Sequence, residues 1–203
     1  MPSISRLRWI APLIALTVLA ACGSNGSPTA KTSPGATANP QQSPDPSGTV
    51  PVGGDVPDNV VWIHYSGPVF SIQYPEGWVR NASASGATAT FSDKDSHISV
   101  AIIPGSFQTP TTQSVTSEIA GISGAKVTAP AGQVALPAGA AIKVSYEVLG
   151  PADPVTGKRP RLVIDRYETA NSGRVAILEL AAQVGIDNVD AYLAIAKSFK
   201  WTA

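Results

Sequence analysis

Cysteine is almost missing from this 203-residue chain, which contains only Cys22. No disulfide and no multi-thiolate zinc site can form within it, so the folded part must stand on its own core. Charge is scarce as well. Charged residues make up 14% of the chain, with 14 Lys and Arg against 14 Asp and Glu. No basic stripe runs along any segment, which argues against nucleic acid as a partner. No apolar run reaches the roughly 20 residues of a comfortable membrane-spanning helix. A Gly-x-Ser-x-Gly nucleophile elbow and a phosphate-cradling Gly-x-x-x-x-Gly-Lys-Ser/Thr loop are both missing. Ser, His and Asp all occur, but no spacing nominates a triad, and no internal repeat is visible.

What is present begins with an export signal. Arg6 and Arg8 precede an apolar stretch, Ile10 to Ala21, broken only by Thr17. Small residues then lead into Leu19-Ala20-Ala21-Cys22. This resembles the lipobox of bacterial lipoproteins. The resemblance implies cleavage after Ala21, diacylglyceryl and palmitate-type acyl chains on the Cys22 sulfur, and residence on the outer face of the cell membrane. Residues 1–21 are therefore expected to be a lipoprotein signal peptide. Each buried CH₂ of an acyl chain contributes about 0.8 kcal/mol, so several chains would anchor the protein firmly. Without Arg6 and Arg8, 12 basic residues face 14 acidic ones, and the mature chain is close to neutral.

Residues 22–58 hold seven prolines and no aromatic side chain. A stretch of Ser, Pro, Gly, Thr and Ala cannot bury enough apolar surface to offset the entropy of ordering. It reads as a disordered spacer spanning ~35 Å r.m.s.. Residues 59–203 have the size of one domain. Strands are predicted over Val60–Tyr65, Val69–Tyr74, Trp78–Arg80, Ala87–Phe91 and His97–Ile103. Thr111 to Ile122 reads as a helix capped by Thr111 or Thr112. Strand signals return at Val127, at Val134–Leu136 and at Ile142–Val148. The last of these alternates Ile142, Val144, Tyr146 and Val148 with polar residues. Arg161–Thr169 and Arg174–Ala182 form a predicted hairpin. A closing helix is capped by Asp187 and presents Val189, Tyr192, Leu193, Ala196 and Phe199 on one face. The order predicts an α+β domain, a large antiparallel sheet flanked by helices.

Phe70-Ser71-Ile72-Gln73-Tyr74-Pro75-Glu76-Gly77-Trp78 resembles the opening motif of PsbP-like domains. Val134-Ala135-Leu136-Pro137-Ala138-Gly139 and Ala196-Lys197-Ser198-Phe199 resemble later parts of the same pattern. These domains share a fold with the PsbP subunit of photosystem II and with a yeast Ran-binding protein. The resemblance implies an α/β/α sandwich that binds or assembles and seldom catalyses. Physics accounts for the motif itself: Pro75 ends a strand because it cannot donate to the ladder, and Trp78 brings a large ring to the core.

Candidate sites are few. Asp93, Asp95 and His97 alternate ligand types around a turn, and some PsbP-like proteins are associated with metals. A polar turn also needs such residues for its own hydrogen bonds, so no metal or cofactor is expected. Asp165, Glu168 and Glu179, flanked by Arg161, Arg166 and Arg174, read as cross-strand ion pairs on a solvated face. Trp201 either staples the C-terminus to the sheet or meets a partner. Lys158, Arg159 and Arg161 sit on or beside the Gly150–Pro160 loop, a second partner-binding candidate. The expectation is a non-enzymatic lipoprotein, bound to the membrane through Cys22, whose domain meets an envelope protein or ligand. One alternative is a small-ligand or lipid carrier with an apolar cleft between sheet and helix. The other is an unrecognised hydrolase.

Overall fold

The computed structural model describes residues 55–202 apart from Asp95, Ser106 and Phe107. Cys22, the signal segment and most of the spacer lie outside the described residues.

The elements in chain order are β1 (Trp62–Ser66), β2 (Phe70–Pro75), β3 (Val79–Ala82), β4 (Thr88–Ser92), β5 (Ser96–Pro104) and α1 (Thr112–Ala120). Then come β6 (Lys126–Leu136), β7 (Gly139–Leu149), β8 (Arg161–Asn171), β9 (Arg174–Gln183), α2 (Val189–Ser198) and β10 (Lys200–Trp201). Seven strands form one antiparallel sheet in the order β3-β4-β5-β9-β8-β7-β6. The expected single sheet is thus joined by a second, small one, β1-β2-β10.

Strand alternation sorts the core onto two faces. Leu178 and Leu180 of β9 lie opposite Val100 and Ile98 of β5. They share a cluster with Phe70 and Ile72 of β2, Phe91 of β4, and Ile195 and Phe199 of α2. Ala181, of opposite parity to Leu180, belongs to a second cluster with Ile164, Val144, Tyr146 and the α1 residues Val115 and Ile119. The small sheet and α2 therefore cover one face, and α1 covers part of the other. Aromatic contacts fill the first layer. Tyr74 stacks on Phe91 at 4.4 Å between centroids, and Phe70 stacks on Phe199 at 5.7 Å.

Local details depart from the sequence reading for physical reasons. Thr111 caps α1 through a reciprocal pair with Ser114. In α2 the N-cap is Asn188 rather than Asp187, and Asn188 makes no side-chain bond to its own helix. Val189 and Leu193 point outward, 69% and 41% exposed. Tyr192, Ala196 and Phe199 are buried as expected, and Ile195 joins them in place of the two exposed residues. The signals at Val127 and Val134 belong to one strand, β6, with register shifts between Val127 and Ala129 and between Ala129 and Gly132. It tolerates Pro130 because it is an edge strand, where a missing ladder donor costs little.

Phe91 is fully buried between Tyr65, Tyr74 and the sheet. Phe91→Ala is expected to destabilise the domain by about 3–5 kcal/mol in urea unfolding, and Val155→Ala, at a 90% exposed position, by less than about 0.5 kcal/mol.

Candidate functional site

The described chain begins as a strap. Asp55 and Val56, inside the stretch read as spacer, are hydrogen-bonded to the start of α2. The Asp187 N–H donates to Asp55 Oδ1 at 2.9 Å, and the Val56 N–H donates to Asn188 Oδ1 at 2.7 Å. Asn188 is buried, and its Nδ2 donates to Ser96 Oγ at 3.2 Å. One amide thus joins the strap, α2 and β5, which is why it is not capping its own helix. A turn follows, with the Val60 N–H donating to the Pro57 carbonyl at 3.0 Å. The Glu76 N–H then donates to the Val61 carbonyl at 2.8 Å, and the chain enters β1 at Trp62.

A hollow lies on each side of this strap. One, of about 350 Å³, lies between the strap and α2, with Trp62, Ala191 and Ala194 as apolar walls and Asp58, Asp187 and Asp190 as acidic ones. The other, of about 340 Å³, lies toward β2 and β3, with Val61, Pro75 and Trp78 beside Asp55, Glu76 and Asp93. Val60 lines both. Val61 and neighbouring Val79 are exposed, at 56% and 62%. Sequence reasoning missed this surface because its residues come from a presumed spacer, a turn and a helix start that are far apart in the chain.

The residues nominated from the sequence are dispersed. Cys22 and Asp95 lie outside the described residues. Asp93 organises its turn, accepting from the Ser96 N–H at 2.7 Å. His97 pairs with Ala181 on β9, and burial lowers its pKa against the opposing pull of Glu179. Among the described residues no three acidic or histidine side chains converge to hold a metal ion. Trp201 pairs with Phe70, meets Phe199 edge-on at 5.5 Å and lies beneath the Arg174 guanidinium at 5.3 Å. Its Nε1 is buried with no hydrogen-bond partner among the described residues. Arg159 donates to the carbonyls of Gly150 at 2.7 Å and Leu149 at 3.3 Å, while Arg161 pairs with Glu147. Lys158 is exposed on the loop. The three cations do not converge on one point of that loop.

The carboxylates of the late hairpin require a correction. They do not share a solvated face. Asp165 lies on the α2 side of the sheet, where Lys143 Nζ reaches it at 2.8 Å and Ser145 Oγ donates to it. Glu168 and Glu179 lie on the other face with Arg166. Arg166 Nε meets Glu168 at 2.6 Å, Nη1 meets Glu179 at 3.2 Å, and Nη2 meets Glu118 of α1. Tyr146 adds a hydrogen bond to Glu179 at 2.9 Å. Arg166 and Glu168 are buried, 8% and 3% exposed. Alternation along β8 explains the split, since Asp165 and Arg166 must face opposite ways. Burial opposes the Arg166 charge, but Glu168, Glu179 and Glu118 outweigh it and hold its pKa above the usual value. Burial pushes the Glu168 carboxyl up, with Arg166 pulling the other way.

Ser145 against Asp165 is the one described hydroxyl–carboxylate contact on the sheet that resembles a nucleophile and base. Its chemistry is poor. Lys143 holds the carboxylate, and that pairing, working against burial, raises the Lys143 pKa, so the lysine stays protonated near neutral pH and is no base. Ser145 is itself nearly buried.

The architecture is that of an antiparallel α+β sandwich, the class implied by the Phe70–Trp78 motif. No protein-family model matches the sequence, and no curated protein sequence matches it significantly. Among solved structures it is similar to cyanobacterial PsbP from Synechocystis, with 18% identity over 73% of this chain and 98% of that one, at a TM-score of 0.48. It is similar to the Ran-binding protein Mog1p of Saccharomyces cerevisiae, with 9% identity over 70% and 94%, at 0.46. A third is LpqN, involved in cell envelope biogenesis of Mycobacterium tuberculosis, with 16% identity over 70% and 90%, at 0.40. A Bacteroides thetaiotaomicron protein is matched over 66% of this chain (10% identity, TM-score 0.47), and this chain spans only 45% of that protein's length. PsbP and the yeast Ran-binding protein are the two folds that the sequence resemblance named.

Removing Arg166 strands buried carboxylates. Arg166→Met is expected to cost about 3–5 kcal/mol in urea unfolding. Adding Glu168→Leu to Arg166→Met should recover part of that loss. The pH dependence has a definite sign at each group. Glu168 titrates higher folded than unfolded, so its contribution is full below about pH 4.3 and is lost as pH rises through the folded value. His97 titrates lower folded, so its contribution is full above about pH 6.5 and is lost as pH falls through the folded value. Melting temperature against pH is expected to flatten on the acid side in His97→Gln and on the rising-pH side in Glu168→Gln.

Proposed function

We propose that this chain is a lipoprotein anchored through acyl chains on Cys22 at the outer face of the membrane, and that its domain binds an envelope protein without catalysis. The observation that carries the binding half is a contrast between interior and surface. The layer between sheet and α2 is filled, with Phe70, Ile72, Ile98, Ile195 and Phe199 at most 1% exposed. The open space among the described residues includes the two hollows beside the strap, at the surface. A lipid carrier needs a deep apolar cavity, whereas a docking module needs a rigid core and an uncovered patch. No described helix is long and apolar enough to cross a membrane, so anchoring falls to Cys22 in this reading.

Two measurements test it. Cys22→Ala should move the protein out of the membrane fraction of its host and remove acyl mass from the purified chain. Unchanged fractionation overturns the anchor. A photo-crosslinking amino acid at Val61 should capture a discrete protein adduct on intact cells that the same probe at Lys158 does not. Lipid co-purifying with the domain, with no adduct at Val61, would favour the carrier instead.

A further inference from the structure

Resting on the docking surface just proposed, we infer that the partner segment seated across the strap is cationic and partly apolar, a stretch of polypeptide in which Lys or Arg alternates with aliphatic or aromatic residues. The argument starts from how the domain treats its acids elsewhere. Glu118, Glu168 and Glu179 share Arg166, Glu147 has Arg161, and Asp165 has Lys143. Exposed Asp153 is satisfied locally by the N–H groups of Val155 and Thr156. At the strap Asp55 and Asp187 also accept local N–H groups, from Asp187 and Val189, but cations are missing among the described residues. None of Asp55, Asp58, Glu76, Asp187 and Asp190 is in an ion pair among the described residues. No Lys, Arg or His lines either hollow.

Two of these acids have a local reason to be there, because Asp187 and Asp190 flank the start of α2, where negative charge is favourable. Asp55 accepts the Asp187 N–H at the same helix start, whereas Asp58 and Glu76 have no such role. Acids alone would not make a site. Here they rim hollows whose walls are apolar, with Trp62 in one and Trp78 and exposed Val61 in the other. A bare metal ion does not suit the geometry, because no three of these carboxylates converge. A ligand long enough to cross the strap does suit it. Its ammonium or guanidinium groups would meet the rim, and its apolar groups would meet the tryptophans and valines.

The test uses the full chain in zwitterionic nanodiscs, with empty nanodiscs subtracted, and fluorescein-labelled octapeptides read by anisotropy. An alternating Lys/Leu peptide is expected to bind. Its affinity should fall at least tenfold between 50 and 500 mM NaCl, as a multi-charge contact demands. A similar fall is expected in the isosteric variant Asp58→Asn/Asp187→Asn/Asp190→Asn, with melting temperature monitored, while the remote Glu147→Gln stays at the wild-type value. Equal binding of a Glu/Leu peptide, or wild-type affinity in the triple variant, overturns the cationic requirement. Equal binding of octalysine overturns the apolar one. The two readings fail separately in cells. If Trp62→Ala abolishes the Val61 adduct but the triple Asn variant keeps it, the docking surface stands and the cationic chemistry falls. If both variants keep the adduct, the docking surface itself falls.

Discussion

The structure depends on the burial of β8 and β9 from both sides. These strands sit in the middle of the seven-stranded sheet, so one row of their side chains must fit under α2 and the small sheet while the other fits near α1. The first row is mostly aliphatic and aromatic, as ordinary hydrophobic burial requires, with Asp165 paired to Lys143 as its charged member. The second row carries Arg166, Glu168 and Glu179 beside Ala181 and Ile164. A charged group in that position is tolerated only with its partners, and α1 supplies one of them through Glu118. Placement of α1 therefore depends on both an apolar contact, through Val115 and Ile119, and an electrostatic one. An all-apolar second row could bury as much surface, but the paired charges fix where α1 must sit.

Much of this was legible in the chain. Alternation in Ile142–Val148 and the two strands of the late hairpin gave the central sheet, and of the two threonines offered as caps Thr111 starts α1. What failed to read was everything that depends on three-dimensional neighbours. Asp165 and Glu168 look alike in sequence, yet strand parity sends one to the α2 side and Lys143 and the other into a buried pair on the opposite face. Val189 and Leu193 fit a helical apolar stripe, yet the rotation of α2 against β2 leaves them outside. The strap was hidden by its composition. Pro57 and Asp58 continue the character of the preceding spacer, and only contact with Asn188, 132 residues beyond Val56, marks it as part of the folded unit.

The charges beside Ser145 are arranged for mutual pairing. The Ser145–Asp165 contact offers the right atom types, but Lys143 neutralises the acid that would have to serve as base. The polar groups on the sheet are mostly committed to one another, and so is the basic loop, whose arginines hold backbone carbonyls and Glu147. At the strap, Asp55, Asp58, Glu76, Asp187 and Asp190 are without ion pairs among the described residues, and Val61 is uncovered.

The Asn188 clasp has a mechanical side. Residue 54 is covalently continuous with Asp55, so tension arriving along the preceding chain reaches the domain at two hydrogen bonds first, Asp55 with Asp187 and Val56 with Asn188. These can open one after the other, before any strand of either sheet is loaded. The next tie, Glu76 to Val61, stands between that pull and β1. Residues 55–61 are thus the first part of the domain that a pull along the preceding chain would load. Displacing the strap would also reshape both hollows, because Val56, Pro57 and Val60 line each of them.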